Sequence, residues 1–108
     1  MHLVFRIQNT DPAEVLKRYI ERRLRFALGR FGERVGQVTV RISGKANENE
    51  CRITTELRPF GRVAVRETDP DLLTAVDRAA GRVGRLFGRE LQRARDARTS
   101  LDSIGVAA

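Results

Sequence analysis

The stretch 50-ECRITTELRPFGRVAVRET-68 decides the fold. Over 50–58, Cys51, Ile53, Thr55 and Leu57 alternate with Glu50, Arg52, Thr54 and Glu56. That period of two sends successive side chains to opposite faces of a strand. Pro59-Phe60-Gly61 reads as a hairpin connection, and Val63 and Val65 resume the alternation in a strand over 62–68. Upstream, residues 37–43 (QVTVRIS) put Val38, Val40 and Ile42 on one face and Thr39, Arg41 and Ser43 on the other, with Gly44–Asn49 as a polar turn between this strand and the next. Residues 2–8 (HLVFRIQ) place Leu3, Phe5 and Ile7 together, although Val4 falls on the opposite face. Four strands with one apolar face each need a cover on one side only.

Two amphipathic helices supply that cover. Thr10-Asp11-Pro12-Ala13-Glu14 carries a cap, a proline suited to the first helical position and a carboxylate that can reach back. The helix it opens runs to about Phe31, with Leu16, Ile20, Leu24, Ala27 and Phe31 on its apolar face, and Gly29, Gly32 and Gly36 break the pattern. Asp69-Pro70-Asp71 repeats the start signal. The second helix runs to about Arg95 on Leu73, Val76, Ala80, Val83, Phe87 and Ala94, with Leu91 at the edge. The order is β-α-β-β-β-α, an α+β fold: a four-stranded sheet with two helices packed on one face. Residues 1–95 form the domain, and the polar, small-residue segment 96–108 is expected to be a flexible C-terminal tail.

Composition narrows the function. The chain of 108 residues has 41% hydrophobic residues, so it can fold, and a net charge of +7 with a pI near 11.1 points to a polyanionic partner. Of the 21 Lys and Arg residues only Lys17 and Lys45 are lysines. This preference runs through the whole chain and fits a GC-rich coding sequence as well as phosphate recognition, so position says more than number. Cys51 and His2 are the only residues of their types, which leaves no cysteine cluster, zinc site or histidine-based triad. No phosphate loop, dinucleotide fingerprint or catalytic carboxylate pair is present, so no enzyme, metal or cofactor is expected. Cys51 reads as a small buried strand residue. The start of the chain lacks a signal core and no apolar run approaches a membrane span, so a cytoplasmic location is expected.

The sharpest signal is a row of arginines. Arg78, Arg82, Arg85, Arg89 and Arg93 recur at helical spacing and fall within about 80° of arc, opposite Val76, Val83 and Phe87. Between Arg78 and Arg98 seven arginines face only Glu90 and Asp96. Such a row costs self-repulsion, which a merely soluble face avoids by mixing signs. The first helix has a shorter row in Arg18, Arg22 and Arg25, diluted by Glu14 and Glu21 at i,i+4; Arg23 and Arg30 lie nearer its apolar arc. Both rows are expected to flank one groove on the helical side. Aromatics are few and mostly in core phase. Phe60, at the hairpin tip, is expected to pack onto the sheet edge, with base stacking as the alternative. Gly81, Gly84 and Gly88 share a flank of the second helix and point to close approach of the first helix or the sheet; Gly81-Arg-Val-Gly84 lies inside a helix, the wrong setting for the GxxG loop of a KH domain.

The order of elements, Tyr19-Ile-Glu-Arg-Arg-Leu-Arg-Phe-Ala-Leu-Gly-Arg-Phe31, and Asp69-Pro-Asp-Leu-Leu-Thr-Ala-Val-Asp-Arg-Ala-Ala80 with the arginine row after it resemble the ribosome hibernation-promoting factor family over residues 1–95. That family includes the ribosome-associated inhibitor A and is also labelled sigma-54 modulation protein. The resemblance implies a monomeric translation inhibitor. It would bind small-subunit ribosomal RNA near the decoding centre and occlude messenger and transfer RNA. By position it assigns RNA contact to Arg82, Arg85 and Arg89 and to Arg22 and Arg23. With the remaining row residues, the expected rRNA-binding set is Arg18, Arg22, Arg23, Arg25, Arg78, Arg82, Arg85, Arg89 and Arg93. Departures from the family pattern are Leu73 where an aromatic is common, the glycines of the second helix, a first helix one residue longer, and a short Gly44–Asn49 loop. The resemblance is to the short form, without the extra C-terminal domain by which long members pair ribosomes. The alternative reading is an adaptor that binds an acidic protein through the same arginines.

Overall fold

The computed structural model describes residues 1–8 and 13–107, and the side chains among them except those of residue 45 and residues 99–107. The elements are β1 (His2–Ile7), α1 (Ala13–Leu28), a 3-10 segment (Gly29–Arg34), β2 (Val35–Lys45), β3 (Glu48–Leu57), β4 (Arg62–Asp69) and α2 (Leu72–Ala107). The fold is α+β in the expected order. The sheet order is β1-β2-β3-β4; β1 pairs with β2 in parallel and the other pairs are antiparallel. A parallel pair requires a crossover, and α1 is that crossover.

The alternation places the core residues of β2, β3 and β4 as expected. Val38, Val40, Ile42, Cys51, Ile53, Thr55, Leu57, Val63 and Val65 are all buried on the helical side of the sheet. Leu16, Ile20, Leu24 and Leu28 of α1 and Ala75, Val76, Ala79, Ala80, Val83, Phe87 and Leu91 of α2 complete one core. β1 is less covered: Leu3, Phe5 and Ile7 are only partly buried against that core.

Several boundaries differ from expectation for physical reasons. The strands β2 and β3 extend into the polar stretch, so the turn shrinks to Ala46 and Asn47, with Ala46 at φ 56°. Polar residues at 44–49 do not stop a strand whose outer face is solvated. The first helix ends at Leu28, three residues early, because Gly32 takes φ 56° and turns the chain. Leu28 thereby enters the core, while Ala27 and Phe31 are only partly buried. The start signal at Asp11-Pro12 lies outside the described residues.

At α2 the cap is Asp71, not Asp69. Asp71 Oδ2 accepts from the Thr74 backbone N–H at 3.1 Å and from the Thr74 hydroxyl at 2.5 Å. Asp69 instead accepts from the Asp71 N–H at 2.8 Å. The buried stripe then runs through 76, 79, 80, 83, 87 and 91. Leu73 shares the phase of that stripe but sits in the first turn of the helix, where it is 44% exposed; Ala94, at the other end, is exposed, and Leu91 is core rather than edge. The helix also continues past Arg95 to Ala107. No proline interrupts that segment, and Ala97, Arg98 and Leu101 favour helix. Its 36 residues account for most of the 59 Å long axis of the molecule.

Candidate nucleic-acid interface

The two helices meet where their side chains are smallest. A Cβ on Gly84 would lie 2.9 Å from the backbone oxygen of Ala27, and one on Gly88 would lie 3.3 Å from the Phe31 ring. Gly84 therefore does allow close approach of α1, and Gly88 that of the 3-10 segment that follows it. Gly81 does not, since its nearest neighbour is Arg85 of its own helix. Phe31 packs on Phe87 with ring centroids 4.8 Å apart, and Arg30 stacks on Phe31 itself, its guanidinium 4.8 Å from that ring's centroid.

Toward the N-terminal half of α1 the helices are tied by polar contacts. Tyr19 donates its hydroxyl hydrogen to Asp77 Oδ1 at 2.6 Å, and Arg23 Nε lies 3.1 Å from the same oxygen. The hydrogen bond to Asp77 raises the Tyr19 pKa above 10.0, with burial adding to it. Asp77 was not singled out from the sequence. Only the packed pair of helices brings it between Tyr19 and Arg23.

Between these ties runs an open groove lined by Arg23, Phe26, Ala27, Arg30, Gly84 and Arg85. It unites residues from both helices, as expected, but not the full arginine rows. Arg78 and Arg82 lean instead over the edge of the sheet. Arg78 pairs with Asp69 at 2.9 Å, and Arg82 pairs with Glu67 at 3.0 Å, both carboxylates being on β4. Arg93 pairs with Glu90 and Arg25 with Glu21. Glu14 pairs with Lys17 rather than with Arg18. Arg18, Arg22, Arg85 and Arg89 are exposed and hold no ion pair among the described residues. These free guanidiniums are the part of the two rows with unspent capacity for a phosphate. The paired arginines are at the surface, where an ion pair is worth at most about 1 kcal/mol and yields to a competing phosphate.

Two groove residues lay outside the sequence-derived set. Phe26 is 85% exposed and sits on the groove wall between Arg23 and Arg30. Its signal was available, because position 26 is out of phase with Leu16, Ile20 and Leu24. Arg30 was read as an apolar-edge residue; its place over Phe31 holds the guanidinium flat at the groove end. An exposed aromatic among arginines is the pairing that stacks on nucleic-acid bases while holding their phosphates. Phe60 is also exposed, at 89%, which overturns the expected packing on the sheet edge. The hairpin it tips, with a Leu57 N–H to Gly61 carbonyl bond of 2.9 Å, projects it beyond the last residues of β3. Cys51 is fully buried as expected, and burial pushes its pKa up to about 12. No helix among the described residues is long and apolar enough to cross a membrane.

Comparison with known proteins gives a consistent picture. A family model described as Sigma 54 modulation protein / S30EA ribosomal protein matches residues 3–95. Among solved structures, the Thermus thermophilus Protein Y N-terminal domain is similar at 27% identity and a TM-score of 0.72, over 82% of this chain and 98% of that one. A ribosomal subunit interface protein from Coxiella burnetii superimposes with a TM-score of 0.73 over 85% of this chain and 99% of that one; at 14% identity that likeness is one of fold. No curated protein sequence matches the chain.

Proposed function

The chain belongs to the Sigma 54 modulation protein / S30EA ribosomal protein family, and from that premise we propose that it is a ribosome-associated translation inhibitor that holds small-subunit rRNA near the decoding centre. The observation that carries this reading is the groove between α1 and α2. There Arg85 and Arg23 sit beside the exposed Phe26, with the unpaired Arg22 and Arg89 on the same two helices. Arginines engage rRNA phosphates, and Phe26 stacks on an unpaired base or ribose. Arg18, Arg25, Arg78, Arg82 and Arg93 extend the positive surface along the two helices, their carboxylate partners giving way to phosphate.

Inhibition then needs only affinity and shape. A sheet covered by two helices and extended by α2 is a wedge 59 Å long and about 20 Å across. Seated in the path of messenger and transfer RNA, it excludes both sterically. The protein works as a monomer in the cytoplasm, with residues 1–95 as the ribosome-binding unit.

The test is co-sedimentation with purified small subunits across a salt series, with a labelled messenger as competitor. Binding at low salt, lost near roughly 0.5 M salt and accompanied by messenger displacement, is the expected result, because each phosphate engaged releases condensed counterions. Absence from small subunits at low salt would contradict the proposal. Tight capture of one acidic protein in its place would favour the adaptor reading.

A further inference from the structure

The face of the sheet turned away from the helices carries a second row of arginines that no helical pattern contains. The register sets Arg6 opposite Arg41, Arg41 opposite Arg52, and Arg52 opposite Arg66. All four alternate with the residues their strands turn toward the core and are exposed. One row of arginines in register thus crosses the whole sheet. Three strand spacings give it a span of roughly 14 Å.

Like charges directly opposite one another destabilise a sheet, so the row has a cost. Its compensation is partial. Glu50 pairs with Arg52 at 3.3 Å and with Arg66 at 3.0 Å. Arg6 and Arg41 hold no ion pair among the described residues. Of the other carboxylates on this face, Glu56 already accepts the Gln37 N–H at 2.7 Å, and Glu48 stands at the start of β3, four residues from Arg52. Shallow hollows follow the row: one holds Arg6, Arg41, Ser43 and Arg52, and the next holds Thr39, Arg41, Arg52 and Thr54. Threonine and serine hydroxyls beside guanidiniums are donors suited to phosphate oxygens. No Phe, Tyr or Trp lies on this face among the described residues, and its imidazole, His2, stands four residues along β1 from Arg6, so the arginine row itself offers charge and hydrogen bonds without a stacking platform.

We propose that this sheet face is a second RNA-binding surface, which takes a single phosphodiester strand laid across β1 to β4 along Arg6, Arg41, Arg52 and Arg66. It is separate from the helical groove, on the opposite side of the domain. The domain therefore holds RNA on both faces, the groove by charge and stacking and the sheet by charge alone. That the strand is ribosomal rests on the function proposed above; the binding of an RNA backbone does not.

The experiment compares the full chain with R6Q/R41Q and with R85Q/R89Q, using a fluorescein-labelled twelve-nucleotide oligouridine and purified small subunits as the two probes. Anisotropy is read across a salt series, and amide shifts on oligouridine addition are mapped by NMR. R6Q/R41Q is expected to bind oligouridine on the order of tenfold more weakly at low salt. Its log–log salt slope should be shallower by about 1.4, two single-strand contacts' worth. Combined with R85Q/R89Q, which empties the groove, little oligouridine binding should remain. Wild-type amide shifts should include β1 and β2, and the thermal midpoint of R6Q/R41Q should stay level or rise, which separates lost binding from lost folding. An unchanged slope for R6Q/R41Q, shifts confined to the helices, or a polyglutamate peptide bound as tightly as oligouridine would overturn the inference. If oligouridine binds through the sheet row but small subunits do not bind at all, this inference stands and the ribosomal reading falls.

Discussion

Tyr19 on α1 and Asp77 on α2 are joined by a 2.6 Å hydrogen bond, and that bond fixes the two basic helices against each other at one end of the groove. Arg23 shares the same carboxylate oxygen, so Asp77 is held from two positions on α1. The variant Y19F removes one tie and leaves the other. It is expected to lower unfolding free energy by about 1 kcal/mol, the usual net value of such a bond when partly exposed. The pH dependence has a definite sign. The folded pKa of Tyr19 is raised above 10.0, so the bond's contribution is fully present below pH 10 and is lost as pH rises through the folded value. Urea denaturation at pH 7 and pH 11 should show wild type converging on Y19F at the higher pH. A constant gap between them would contradict the assignment.

The helix crossing makes opposite predictions for two glycines on one helix. A methyl group at Gly84 would press on the Ala27 backbone oxygen at 2.9 Å, and backbone cannot move aside cheaply. G84A is expected to cost about 1–3 kcal/mol despite its better helix propensity. At Gly81 the nearest atom is the mobile end of Arg85 at 3.3 Å. G81A should therefore stabilise by up to about 1 kcal/mol. Thermal unfolding of the two variants side by side decides it.

Thr55 sits fully buried among valines, with its hydroxyl oxygen unpartnered among the described residues. A buried polar group without a hydrogen bond costs about 1–3 kcal/mol. T55V keeps the shape and removes the polar atom, so chemical denaturation should show a gain of about 1 kcal/mol or more. A loss of stability would mean that the hydroxyl has a partner in solution.

Cys51 is buried on β3, and burial pushes its thiol pKa up to about 12. At pH 8 the folded protein should resist thiol-specific reagents, with one thiol becoming reactive on denaturation. Rapid labelling of the folded state would show that β3 opens locally.

What could be read along the chain was what depends on local spacing. The faces of β2, β3 and β4, the order of elements and the burial of Cys51 all follow from periods of two and 3.6. The phase of α2 is legible but its reach is not: Leu73 and Ala94 lie on the apolar stripe yet are exposed, because the stripe is buried only from Ala75 to Leu91; the cap, Asp71 rather than Asp69, shows itself only in its bond to the Thr74 N–H. The arginine rows were visible, but not their division. Whether Arg82 is free or clamped depends on Glu67, fifteen residues earlier on a strand. Phe26 was legible in principle, since its phase points outward. The line from Arg6 to Arg66 was not, because it exists only in the register of four strands.

The central claim is that free arginines around the helical groove hold small-subunit RNA. The most direct measurement is the small-subunit affinity of the triple variant R22E/R85E/R89E, with circular dichroism and the thermal midpoint as controls on folding. None of the three residues is paired among the described residues, so reversing them breaks no ion pair there. An intact fold, with binding reduced at least about a hundredfold at low salt and a markedly shallower salt slope, is the expected result. A folded triple variant that binds small subunits as wild type does would contradict it.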